Sequence, residues 1–252
     1  MTPEERRALT RIDQLSAEWF TARTGRVTAS NVAKALSRLT RKSGIKNVGD
    51  PTAECDRYRI QVIAETLTGV PVENYVSPAM DNGRELEPVA VAEYEFQTGL
   101  EAEKTGLWVH PVIDRFAASP DRLVGAEGVL EVKCPLPTTH IEYLIAGVMP
   151  EEYVDQVQSE LACTERLWAD FVSFCPLMPA DLKLFKVRVS RDEERIRQIE
   201  EGVVTFLEEV VQGIKKLKSN ATPLNQQLRQ SISAEAARAA AEEFIDRMEL
   251  TP

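Results

Sequence analysis

The chain has 252 residues, 43% hydrophobic and 28% charged, with 12 glycines and 14 prolines; this excludes a disordered or fibrous protein and leaves apolar mass for one sizeable core. No apolar run approaches the roughly 20 residues that a membrane-spanning helix needs. With 30 Lys and Arg against 40 Asp and Glu the net charge is −10, so a uniformly basic surface is excluded and the distribution of charge matters more than its sum.

The amino terminus, MTPEERRALTRIDQ, is charged and carries no apolar signal core, so an intracellular location is expected. Residues 1–50 hold ten basic side chains against five acidic ones, a locally basic segment that reads either as a solvated face or as a contact for an anionic partner. The stretch SAEWFTARTGRVTASNVAKAL (16–36) predicts a short helix, a glycine turn and a second helix capped by Thr28 or Ser30. Helices are also predicted over 53–69, closed by Gly69, and over about 82–97, followed by Gly99.

The period then changes. TGLWVH, DRFAASPD, RLVG and GVLEVKCP are short runs of β-branched and aromatic residues bounded by Gly, Pro and Asp, which predicts an antiparallel meander. Helices follow over 137–146 and 150–166, then strands in WADFVSFCP and LKLFKVRVS. DEERIRQIEEGVVTFLEEVVQGIKKLK has helical apolar spacing, with acids first and lysines last to suit the helix dipole. SNATPLNQQ reads as a hinge and SAEAARAAAEEFIDRMEL as a terminal helix. The order gives an α/β (α+β) domain with a mixed sheet flanked by helices, one domain over 1–252 with its core over about 15–190 and C-terminal helices over about 191–252, of which 219–252 read as packing or assembly helices.

Cys55, Cys134, Cys163 and Cys175 fall singly, so a clustered zinc or iron–sulfur site is not expected, and His110 and His140 are solitary. The chemistry concentrates instead in FAASPDRLVGAEGVLEVKCP (116–135). Alternation on a strand puts Glu131 and Lys133 on one face, and burying either charge is costly unless it is paired or bound to a metal. Asp121 lies across the GAEG turn, where an antiparallel neighbour can bring it toward Glu131. Two carboxylates and a lysine suit metal-assisted phosphodiester hydrolysis: Asp121 and Glu131 holding Mg²⁺, the Val132 carbonyl adding a hard oxygen, and Lys133 orienting or deprotonating water. The competing reading is a structural Glu131–Lys133 salt bridge on an exposed edge strand.

SPD (119–121) followed by LEVKCP (130–135) resembles the PD-(D/E)xK nuclease signature as it stands in exonucleases like that of phage lambda, the YqaJ-type viral recombinases. EWFTARTGRVTAS (18–30), GRELEP (83–88) and YVDQVQSEL (153–161) resemble that family's further motifs in the same order. The resemblance implies a restriction-endonuclease-like core in which Asp121 and Glu131 bind metal and Lys133 is catalytic. It makes Glu87 a further acidic ligand, with Glu85 a rival. It also implies that Arg23 holds a terminal 5′-phosphate, with Thr28, Ser30, Ser119 and Gln156 as neutral partners.

Two departures stand out: Arg122 occupies a position where glycine is frequent, and the family's other acid upstream of SPD has only Asp114 as a stand-in, which leaves the number of metal sites open. Arg26 reads as a backbone contact or an exposed residue. The activity implied is a Mg²⁺-dependent (Mn²⁺ as substitute) 5′→3′ alkaline exonuclease on linear double-stranded DNA with a 5′-phosphorylated end, releasing 5′-mononucleotides. The implied assembly is a homotrimeric ring working with a single-strand annealing protein, in the cytoplasm of a bacterial host and of phage or prophage origin, with no membrane. The alternatives are an endonuclease or junction resolvase of the same fold, and a non-catalytic DNA-end-binding protein; a Cas4-like or RecB-like iron–sulfur nuclease is disfavoured by the cysteine spacing.

Overall fold

The computed structural model describes residues 1–72 and 78–220, with backbone only at 78–82 and 220. The predicted terminal helix, and all but the first two residues of the predicted hinge, lie outside the described residues. The helices are α1 (Pro3–Leu9), α2 (Ala17–Arg23), α3 (Val32–Leu36), α4 (Ala53–Thr68), α5 (Pro78–Thr98), α6 (Pro137–Ala146), α7 (Val154–Thr164) and α8 (Glu193–Asn220). The strands are β1 (Val27–Thr28), β2 (Ala102–Glu103), β3 (Trp108–Val109), β4 (Phe116–Ala118), β5 (Arg122–Val124), β6 (Gly128–Lys133), β7 (Trp168–Phe174) and β8 (Leu184–Ser190). By its contacts the chain divides into a unit of residues 1–210, which holds every strand and α1 to α7, and a second of residues 211–252. No described helix is long and apolar enough to cross a membrane.

Local chemistry accounts for most helix boundaries. Ser16 accepts a hydrogen bond from Trp19 N and Thr52 one from Cys55 N, each satisfying an orphan amide of a first turn. Pro137 opens α6, while Gly69 (φ 72°) and Gly147 (φ 67°) close α4 and α6 in the left-handed conformation that glycine adopts without strain. The predicted cap at Thr28 or Ser30 is not there. Residues 29–31 form a 3-10 turn and Thr28 makes no capping bond; its hydroxyl accepts from Asn31 Nδ2 (3.0 Å) and lies 3.4 Å from Ser30 Oγ.

The predicted meander divides between two sheets. β3 and β4 pair antiparallel, with β1 parallel on the other side of β4, in a three-stranded sheet. β5 and β6 belong to a five-stranded sheet of order β2-β5-β6-β7-β8, in which only β6 and β7 run parallel. Between β4 and β5 stands Ser119-Pro120-Asp121, and Pro120 has no N–H with which to continue a ladder. The parallel β6–β7 pair requires a long crossover, which α6 and α7 supply.

β6 is covered on both faces. Leu130 and Val132 join Ala90, Val91 and Tyr94 of α5 in one apolar cluster, while Val129 joins Val157, Leu161 and Ala162 of α7 in another. Alternation therefore sends Glu131 and Lys133 toward α7 and Leu130 and Val132 toward α5. β7 carries a second buried charge, Asp170, whose carboxylate accepts from Tyr94 Oη, Arg188 Nε and Arg188 Nη2, each at 2.8 Å, joining α5, β7 and β8. Burial pushes the Asp170 carboxyl up, but these donors outweigh it and hold it below its ordinary value.

Asp170→Ala should lower the unfolding free energy by about 3 kcal/mol, the low end for breaking a buried pair because Arg188 keeps a water-exposed side. Since the folded carboxyl titrates below the unfolded one, its contribution is complete above about pH 4 and is lost as pH falls through the depressed value. Urea melts of the two proteins should therefore converge in that acid window; an unchanged gap there would mean that the charge is not what stabilises.

Candidate active site

The β5–β6 hairpin and the sheet crossing bring the predicted carboxylates together. Asp121 Oδ2 accepts from Val132 N at 2.7 Å, so the acid at the crossing is fastened to β6 beside Glu131. Glu131 is only 2% exposed, and its Oε1 accepts from Lys133 Nζ (2.5 Å) and Gln156 Nε2 (2.6 Å). The Lys133 ammonium also lies 4.9 Å from the Tyr153 ring centroid and donates to Gln156 Oε1 at 3.4 Å. Burial lowers the Lys133 pKa, but the Glu131 and Asp121 carboxylates outweigh it and the net shift is upward, so the lysine stands as a cation. Burial, then Glu131 and Glu87, drive the Asp121 carboxyl well above its ordinary range.

Gln156 spends its amide inside this cluster. Its Nε2 also donates to Glu160 Oε1 at 3.1 Å, so both carboxylates share one amide nitrogen while its oxygen faces Lys133. Glu160 is 1% exposed, and among the described residues its Oε2 is the only buried side-chain polar atom without a hydrogen-bond partner. Burial, then Glu131 and Asp121, push the Glu160 carboxyl well above its usual value. Sequence reasoning missed this acid. It lies one turn after Gln156 in a helix whose residues 157–164 are all buried, a burial that the sequence alone does not show.

On the α5 side, Arg122 lies opposite Leu130 in the β5–β6 register, and directly opposed residues share a face. Its Nη1 donates to Glu87 Oε1 at 2.7 Å and to the main-chain oxygen of Asp121. Glu85 is exposed. Asp114 pairs with Arg6 and the amino terminus at the surface.

A different environment surrounds Arg23. Its guanidinium stacks 4.1 Å from the Trp19 ring centroid, and Trp19 Nε1 donates to Ser119 Oγ at 3.0 Å. Burial lowers the Arg23 pKa against the opposing pull of Tyr58 and Glu65, yet no residue in the described structure hydrogen bonds to this guanidinium or pairs with it. Gly25 N and Gln61 Nε2 instead occupy the Glu65 carboxylate. Arg26 donates to the main-chain carbonyls of Ala22 and Asp114 within the protein. Trp19 and Tyr153, not singled out from sequence, place Arg23 and Lys133.

The donor set fits a hard divalent cation. Asp121, Glu131 and Glu160 repel one another in a buried space with one lysine among them, and hard carboxylate oxygens suit Mg²⁺. Among the described residues no three His, Cys, Asp or Glu side chains converge as a ready-made metal cluster. A cation here would complete its shell with backbone oxygen or water, as Mg²⁺ commonly does.

Comparison with known proteins places the chain in a family. Residues 18–167 match the YqaJ-like viral recombinase domain. The crystal structure of LHK-Exo, an alkaline exonuclease from Laribacter hongkongensis, is 40% identical over 83% of this chain and 100% of that one, with a TM-score of 0.74. LHK-Exo in complex with dAMP gives a TM-score of 0.75 at the same identity and coverage. A phage related exonuclease from Haemophilus somnus 129PT, 18% identical with a TM-score of 0.58 over 76% of this chain and 96% of that one, shares the fold. No curated protein sequence matches. These similarities support a nuclease acting on DNA. With the mixed α/β fold of the PD-(D/E)xK-type exonucleases and a match over more than half its length, the chain belongs to the YqaJ-like viral recombinase domain family.

Proposed function

We propose that the protein is a Mg²⁺-dependent 5′→3′ exonuclease that digests one strand of linear double-stranded DNA to 5′-mononucleotides. The observation that carries this reading is Arg23: a half-buried guanidinium held over the Trp19 ring, with its donors uncommitted, tied through Ser119 to the segment that bears Asp121. Guanidinium geometry suits a terminal phosphate, and such a pocket gives the enzyme its direction along the strand. Thr28 and Ser30 stand near it in sequence as hydroxyl partners. That LHK-Exo binds dAMP, a mononucleotide, agrees with the product class.

In this reading Asp121 and Glu131 hold Mg²⁺ beside the Val132 backbone, while Glu87 stands paired with Arg122. The ion, when bound, withdraws charge from the scissile phosphate and makes a nucleophile of water. Lys133, fixed by Glu131, Gln156 and the Tyr153 ring, presents its ammonium to the phosphate oxygens or the attacking water. Gln156, which the resemblance sets against the phosphate, also holds Glu131 and Lys133 in place. The remaining 3′ overhang would pass to a single-strand annealing protein for phage-type recombination. A homotrimeric ring would confine basic charge to its lumen and leave the rest acidic, consistent with a net charge of −10.

A second reading has one observation in its favour. The Glu131–Lys133 contact at 2.5 Å is also what a purely structural ion pair would show, as in a protein that only binds DNA ends. Digestion of linear duplex phosphorylated at one 5′ end, with Mg²⁺ or EDTA, separates the two. The phosphorylated strand alone should shorten, and only with Mg²⁺. Lys133→Ala should cut kcat by about 10²–10³, the usual effect of losing a preorganised charge at the transition state. Arg23→Ala should lower the preference for phosphorylated ends about tenfold or more, matching one charge-assisted hydrogen bond of about 1.5–3 kcal/mol. Undiminished digestion by Lys133→Ala would sink the catalytic assignment, and nicking of closed circles would point to an endonuclease.

A further inference from the structure

We propose that Arg122 takes the place of a second divalent cation on the Glu87 side of the site, so that each chain binds one ion, at Asp121 and Glu131. The inference rests on the metal-dependent function proposed for this site and adds to it a count. Nucleases that use paired metals place the two ions roughly 4 Å apart, with carboxylates feeding both positions. Here Asp121 has a carboxylate neighbour on either side: Glu131 precedes Val132, whose amide donates to Asp121 Oδ2, and Glu87 of α5 is held by Arg122, whose Nη1 also donates to the Asp121 main-chain oxygen. The two sides are neutralised differently.

Toward α7, Glu131 meets Lys133 and Gln156, with the Glu160 carboxylate one amide away and bearing an unpartnered oxygen, so negative charge is in excess. Toward α5, Arg122 lies opposite Leu130 in register and hence on the α5 face, and its Nη1 bridges Glu87 Oε1 and the main-chain oxygen of Asp121. Its side chain is 11% exposed, so water screens this pair far less than a surface one. A cation approaching Glu87 would have to displace the guanidinium, leaving a shielded positive charge unpaired, or sit beside it against like-charge repulsion. The guanidinium carries a fixed charge that no accessible pH removes. A fixed cation therefore fills the α5 side, and the excess of negative charge that attracts a metal lies on the other.

Calorimetric titration of the full chain with Mn²⁺, without DNA, counts the ions directly. Wild type should bind one Mn²⁺ per chain. Arg122→Gln, which keeps the bulk and removes the charge, should bind a second, and Arg122→Gln combined with Glu87→Gln should return to one. Glu87→Gln alone should also keep one, which preserves the test if the Arg122 variant does not fold, as judged by circular dichroism. Two ions per wild-type chain, or one in a folded Arg122→Gln protein, overturns the proposal, as does loss of the wild-type ion in Glu87→Gln. A wild type that binds no Mn²⁺ and digests DNA equally in EDTA refutes the metal-dependent reading itself, a result distinct from a wrong count.

Discussion

Glu131 sits in the middle of a five-stranded sheet at 2% exposure, and a carboxylate there is tolerated only if neighbours replace the water it has lost. Much of the surrounding architecture answers that demand. Lys133 follows two residues later on the same face, Gln156 reaches across from α7, and the Asp121 carboxylate is fastened to the intervening amide of Val132. The α6–α7 crossover that a parallel β6–β7 pair requires is also what delivers Gln156 and Glu160. Topology and chemistry are thus satisfied by one connection.

How much of this was legible depends on the range of the interaction. α4, α6 and α7 follow from caps, glycine stops and apolar spacing, because those signals act within a turn or two of chain. The convergence of Asp121 with Glu131 and Lys133 was also readable, since alternation and a four-residue turn fix relative positions over short distances. The split of the meander into two sheets was not, for Phe116-Ala117-Ala118 looks like any other strand until its partner β1, some ninety residues earlier, is known. Thr28 shows a related limit: a β-branched hydroxyl before an apolar run has the form of a cap, but here it serves a network with Ser30 and Asn31. Glu160 and the Arg122–Glu87 pair were beyond reach because their meaning depends on which face of the sheet covers them.

The acidic total conceals how the basic residues are used. Arg6 pairs with Asp114, Lys46 with Asp56, Arg38 with Glu209, and Arg59 with both Asp56 and Glu209. Three of the ten basic residues in the first fifty, Arg6, Arg38 and Lys46, are thus spent on ion pairs within the fold. Arg23 differs in lying over the Trp19 ring. An isolated, oriented cation recognises one phosphate, where a basic face would adhere to any stretch of backbone.

The crossing Ser119-Pro120-Asp121 also sets a distance. Ser119 is hydrogen bonded to the indole on which Arg23 stacks, and Asp121 belongs to the carboxylates, so only two residue steps separate the two groups. Two residues can extend no further than about 7 Å, and Pro120 stiffens the link. If Arg23 takes the terminal phosphate, as proposed, the covalent backbone fixes Ser119 relative to Asp121, and the separation of the captured end from the bond to be cut would depend on this short link and on the two contacts that join Arg23 to it.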